Sequence, residues 1–150
     1  MKVGFITGFS NWENNSLSPI QFEFMKNINI KESNKIYLNF PYINNNQLYK
    51  DPNIVSASIS NAAQYMLSKT SWLKNKEQHF KSIIKEENKI LLLSGSCGLE
   101  IIRNMNLLKE EKEKIHIIAY GGVAKEIPDF KYLTLVQSKN DWISRIWIKD

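Results

Sequence analysis

Between Ser94 and Gly98 the chain reads Ser94-Gly95-Ser96-Cys97-Gly98, a central serine with a small residue two positions away on either side. The apolar run Ile90-Leu91-Leu92-Leu93 precedes it, and Leu99, Ile101, Ile102 and Met105 follow in a mostly apolar helical pattern. A strand, a very tight turn and a helix in that order hold the apex residue in a strained backbone conformation. The flanking residues must be small because the strand and helix backbones nearly touch there. A serine hydroxyl presented at such a nucleophile elbow can add to an acyl carbonyl. The helix behind it aims its N-terminus at the negative charge that develops. The chemistry expected at Ser96 is therefore acyl transfer through a covalent acyl-enzyme.

Such an apex needs a central strand, and the chain supplies strands alternating with helices. Lys2–Thr7 reads as a strand, broken by Gly8-Phe9-Ser10-Asn11. Ser18-Pro19-Ile20-Gln21 is a helix start: Ser18 can cap, Pro19 suits the first helical position, and Gln21 completes a capping box. Ile20, Phe24 and Ile28 follow at helical spacing. Lys35–Phe40 reads as a strand ended by Pro41, and Asn44-Asn45-Asn46 as a polar loop. Asp51-Pro52 repeats the cap-then-proline signal ahead of a stripe at Val55, Ile59, Ala62, Ala63 and Met66. A break near Thr70–Asn75 is expected before a helix over Lys76–Glu87 with Phe80, Ile83 and Ile84 inward.

Lys89–Leu93 has the continuous apolar character of a strand buried on both faces. Ile115–Tyr120, ended by Gly121-Gly122, and Tyr132–Val136 are the remaining strands, with a weakly helical link between them. Asn140-Asp141 opens a terminal helix or turn carrying Trp142, Ile143, Ile146 and Trp147, residues that suit a core or an interface. The alternation predicts a single α/β domain over residues 1–150. Its architecture is three-layer, a mostly parallel doubly wound sheet of at least five strands with helices on both faces and Leu91–Leu93 central.

On these residues the chain resembles the α/β-hydrolase superfamily from Lys2 to about Trp142. That family carries its nucleophile after a central strand within a small-x-Ser-x-small pattern, matched by Ser94 to Gly98 with serine at Ser94 where glycine is usual. The resemblance implies Ser96 as nucleophile and Asp141, five residues beyond Val136, as the acid. It implies an oxyanion hole from the backbone N–H groups of Cys97 and Phe9. The family's histidine should follow the acid, but none of the nine residues after Asp141 is a histidine. His116 is the second residue of its strand, which puts it about 13 Å below the strand's carboxyl end. His79 lies on the helix before the elbow strand.

The implied activity is that of a small serine esterase or thioesterase acting on a small-molecule acyl substrate without cofactor or metal. Two alternatives share the fold. One is a degenerate, non-catalytic relative that binds a partner or small molecule. The other is a phosphate- or nucleotide-binding protein using the backbone N–H groups of the same turn, although neither GxGxxG nor GK[ST] is present. Cys97 and Arg103 also have the C-x5-R spacing of cysteine phosphatases, but Glu100 stands among the intervening residues and Leu99 to Ile102 read as helix.

The simplest reading of Ser94–Gly98 remains a tight strand–helix connection, of Asp141 a helix N-cap, of Gly121-Gly122 a turn, and of Trp12 and Glu13 exposed loop residues. The net charge of +5 is carried almost wholly by lysine, with only Arg103 and Arg145 as arginines. Lys109, Lys112 and Lys114 alternate with Glu110, Glu111 and Glu113, the pattern of a solvated surface rather than a nucleic-acid footprint. The one cysteine, Cys97, suits a reducing compartment. No apolar run approaches the ~20 residues of a membrane span. The sequence thus reads as cytoplasmic, and it leaves self-association into a homo-oligomer open.

Overall fold

A computed structural model describes residues 1–8, 15–44 and 71–138 of the chain. The elements are β1 (Lys2–Thr7), α1 (Pro19–Asn27), a 3-10 turn (Glu32–Asn34) and β2 (Lys35–Asn39). They continue with α2 (Ser71–Glu86), β3 (Ile90–Ser96), α3 (Gly98–Arg103), α4 (Lys109–Glu113), β4 (Ile115–Gly122) and β5 (Tyr132–Val136). The five strands form one sheet in the order β2-β1-β3-β4-β5, and every pairing is parallel. β3, the most apolar strand, takes the centre.

Alternation along each strand sorts its side chains onto two faces. Ile6, Ile90, Leu92, Ile115, Ile117 and Ala119 point to one face, where Leu73, Phe80 and Ile84 of α2 and Leu99, Ile101 and Ile102 of α3 cover them. Val3, Phe5 and Leu93 point to the other, against Met25 of α1 and Leu17, with Leu91 and Ile118 partly buried beside them. Helices thus cover both faces of the sheet. Leu92 and Leu93 are buried, but Leu91 is only half-buried, because α1 is the one helix among the described residues that packs on its face.

The elements differ from the sequence expectation where local signals and packing disagree. The capping box at α1 is present, with the Gln21 N–H donating to Ser18 Oγ and the Ser18 N–H donating to Gln21 Oε1. Yet the Ile20–Phe24 row is not the inner face: Ile20 is 84% exposed while Met25 is fully buried. Phe24 sits at the flank, edge-on to Phe5 with ring centroids 6.1 Å apart. Helix α2 runs through the expected break at Ser71–Asn75. No glycine or proline interrupts it, and Leu73 extends the buried row of Glu77, Phe80 and Ile84. The stripe from Val55 to Met66 lies outside the described residues.

Candidate active site

The strand β1 crosses to β2 on one side, and the chain then crosses back to β3 on the other. The connections therefore diverge at the carboxyl ends of β1 and β3, which is where α/β sheets open a crevice. Ser96 ends β3 at that point and has φ 52°. A left-handed backbone at a serine is strained, and two close approaches fix it here. A Cβ at Gly98 would lie 1.8 Å from the Ile6 carbonyl oxygen, so only glycine lets α3 start directly against β1. On the opposite side of the strand, a Cβ at Gly95 would lie 2.9 Å from the Tyr120 ring. Ser94 is fully buried beneath the turn, and its hydroxyl has no hydrogen-bond partner among the described residues.

The neighbouring strand follows the turn. Gly95 pairs with Tyr120 but Ser96 pairs with Gly122, so Gly121 is an extra residue in β4. It has φ 54°, which glycine adopts without cost. The Val123 N–H donates to the Ser96 carbonyl at 2.8 Å and ties the following loop to the elbow.

The loop has a second anchor at Glu100, the one carboxylate of α3, which is fully buried. Arg103 donates to it twice, each bond 2.8 Å, the Lys125 N–H donates at 3.0 Å and the Asn104 amide at 3.1 Å. Burial pushes the Glu100 carboxyl up, but the Arg103, Lys125 and Asn104 donors outweigh it and hold the group below its ordinary value. Arg103 also reaches Glu126 at 3.7 Å. Gly98–Arg103 is helical and its arginine is engaged by carboxylates, so the curled phosphate loop that the C-x5-R spacing would require is not formed. Burial pushes the Cys97 thiol up to about 12, with the Glu100 charge adding to the effect, so Cys97 is not a thiolate nucleophile.

At the end of β2 a polar residue absent from the sequence expectation joins the site. Asn39 is 4% exposed. Its Oδ1 accepts the Thr7 N–H at 2.9 Å and the Phe40 N–H at 3.0 Å. Its Nδ2 donates to Thr7 Oγ1 at 2.9 Å and to the Thr7 carbonyl at 3.3 Å. Thr7 in turn pairs with Gly95, the residue before Ser96. The signal available in the sequence is an asparagine that follows Ile36-Tyr37-Leu38 at the end of the strand, two residues before Pro41.

Of the residues read from the sequence, Ser96 and Cys97 meet at the elbow. Phe9, Asp141, Trp12, Glu13 and the tryptophans of the terminal segment lie outside the described residues. His116 is at the opposite edge of the sheet, opposite Tyr132, with the two rings stacked 4.2 Å apart. His79 is exposed on α2, its Nε2 3.2 Å from the carbonyl of Tyr42, beyond the end of β2. Neither described histidine stands beside Ser96. Among the described residues no three His, Cys, Asp or Glu side chains gather as a metal site, and no helix is long and apolar enough to cross a membrane. No family model, curated protein or solved structure matches the chain.

Proposed function

We propose that the chain is a small serine acyl hydrolase, esterase- or thioesterase-like and of α/β-hydrolase type, with Ser96 as its nucleophile. The observation that carries this reading is the left-handed backbone of Ser96 at the carboxyl end of the central strand, where the crossovers from β1 and to β3 diverge. In the proposed reaction the Ser96 hydroxyl oxygen adds to an acyl carbonyl. The backbone N–H groups of Cys97 and Phe9 stabilise the oxyanion, the bond to the alcohol or thiol breaks as that group departs with the serine proton, and water then cleaves the acyl-serine ester, releasing the acid and restoring the Ser96 hydroxyl. Asp141 is the proposed acid. The positions of His79 and His116 favour slow chemistry, since a hydroxyl without an adjacent imidazole is a weak nucleophile. They also sustain a second reading, a non-catalytic relative that keeps the elbow as a binding feature.

A fluorophosphonate probe separates the two. It is expected to label the folded chain on the peptide containing Ser96, and Ser96→Ala is expected to abolish the label, while p-nitrophenyl esters turn over weakly. A folded wild type that takes no label, or a label that survives Ser96→Ala, overturns the hydrolase reading in favour of the binding one.

A further inference from the structure

The Asn39 side chain uses its full hydrogen-bonding capacity. An amide offers two donors on Nδ2 and two acceptor sites on Oδ1. All four are engaged, three of them by Thr7. The backbone around it explains why. β1 and β2 pair at Val3 with Lys35 and at Phe5 with Asn39, with a register shift between the two pairs. Beyond Phe5, whose carbonyl takes the Phe40 N–H at 3.1 Å, the chain after β2 turns away, and the Tyr42 N–H bonds back to the Asn39 carbonyl. Thr7 is left at the end of β1 with no β2 backbone opposite it, and the Asn39 side chain takes that place. It accepts the Thr7 N–H and donates to the Thr7 carbonyl, as a paired strand would. It also holds the Thr7 hydroxyl, which points to the Gly8 carbonyl at 3.4 Å.

On the other side, Thr7 is paired with Gly95. The Thr7–Gly8 peptide is therefore one strand spacing, about 4.8 Å, from the backbone that enters the elbow.

We infer that Asn39 is a positioning residue for Ser96 chemistry, fixing the backbone that leaves β1 at Gly8 relative to the nucleophile. The inference rests on the nucleophile reading of Ser96. Asn39 acts through Thr7 and touches no reacting atom. Its donors and acceptors are both required: an aspartate of the same shape keeps the acceptors, loses both donors and sets a charge against the Thr7 carbonyl and hydroxyl oxygens.

The test compares wild type, Asn39→Asp, Asn39→Ala and Thr7→Ser in the full chain. Fluorophosphonate labelling of Ser96 is resolved into its limiting rate and its half-saturating concentration, and amide exchange is followed at Thr7 and at Leu92. The aspartate and alanine variants are expected to label about 10- to 100-fold more slowly at saturation, with half-saturation unchanged, because misplacement costs rate rather than encounter. Their Thr7 amide is expected to exchange at least about tenfold faster while Leu92 stays protected, marking a local change rather than unfolding. Thr7→Ser retains the hydroxyl and is expected to keep wild-type labelling. Asn39 variants that label at the wild-type rate, or that leave Thr7 exchange unchanged, overturn the inference. So does loss of labelling matched by loss of Leu92 protection in both Asn39 variants, which assigns the residue a purely structural role. A wild type that takes no label removes the nucleophile reading and this inference with it, and faster Thr7 exchange in the variants would then mark Asn39 as a structural tie alone.

Discussion

At the carboxyl end of β3, Ser96 is held at φ 52° and Gly98 starts a helix with its Cα against the Ile6 carbonyl. At the amino end of β4, the His116 ring stacks on Tyr132, with Lys131 lying 5.1 Å from the Tyr132 ring centroid and the His116 Nε2 buried with no partner among the described residues. The first region is built from backbone: small residues, a left-handed serine, an extra glycine in β4 and amide or carboxylate side chains that pin loops. The second is built from side chains stacked on one another. An imidazole, the group the chemistry would most use, stands in the second region, and the serine that would need it stands in the first. A residue's type therefore says little about membership of a site until its place along the strand is known. Position two of β4 and the last position of β3 are at opposite ends of the same sheet.

The contrast is most sharply tested at Gly98. Gly98→Ala puts a methyl group into the Ile6 carbonyl, and the expected loss is about 3 kcal/mol in urea denaturation. A loss below roughly 1 kcal/mol would show that α3 can lift from β1 freely and that the elbow is not fixed by that approach.

Glu100→Gln is expected to cost a similar or slightly smaller amount, about 3 kcal/mol, because Arg103 is left facing a buried neutral amide. The effect carries a pH signature. The folded carboxyl titrates below its ordinary value of 4.5, so its stabilisation is fully present above that pH and is lost as pH falls through the lowered folded value. Thermal melts should show the gap between wild type and variant narrowing over that acid range. A gap that is constant or widens on acidification would mean that Glu100 is not held as a charged group.

Ser96→Gly tests the strain itself. Glycine adopts a left-handed backbone freely, so the variant should be more stable by about 1 kcal/mol while losing all phosphonate labelling. A lower melting temperature would show that the serine side chain contributes contacts outweighing the strain. The smallest effect on the site is expected at the other end of the sheet. His116→Ala should cost about 1 kcal/mol through the lost stack on Tyr132. It should leave labelling of Ser96 within about twofold, since distant sites act independently. A large fall in labelling would join the two regions and dissolve the comparison.

Much of the fold was legible because apolar alternation and turn residues agree with packing. β1 and β5 have the bounds that the sequence pattern predicts, Lys2–Thr7 and Tyr132–Val136. The elbow was legible for the same reason: small residues bracket a serine between an apolar strand and an apolar helix. β3, by contrast, continues to Ser96 although its apolar residues stop at Leu93. Ser94 and Gly95 keep pairing with β1 and β4 through backbone that any side chain shares. Helix α4 has no apolar face at all and is opened by the Leu108 N–H donating to Glu111 at 2.7 Å, a signal that a charged run conceals. Ile20 and Phe24 mislead because an apolar spacing fixes which residues share a helix face and not which face the sheet receives. At Asn39 the local signal is weak, because a polar residue at a strand end is ordinary; its importance comes from β2 diverging from β1, a tertiary event.

The pairing of β1 with β3 has a consequence for how the molecule is made. Lys2 lies beside Ile90, residues about ninety apart along the chain, whereas β3, β4 and β5 are joined by much shorter connections. Closing the longer loop costs more entropy, and contacts of that range form late and slow the overall rate. β1 must therefore wait for its central partner, and the seat of Gly98 on Ile6 is completed only when β1 inserts. In refolding experiments, conservative truncations in β1 such as Val3→Ala should accelerate unfolding and barely slow folding, while Ile117→Ala should slow folding. The reverse pattern would place β1 in the nucleus. On this order of events a partly folded chain already has β3, β4 and β5 paired before the Gly98 seat that fixes the left-handed Ser96 is complete, so the Ser96 backbone is expected to settle with the last step of folding.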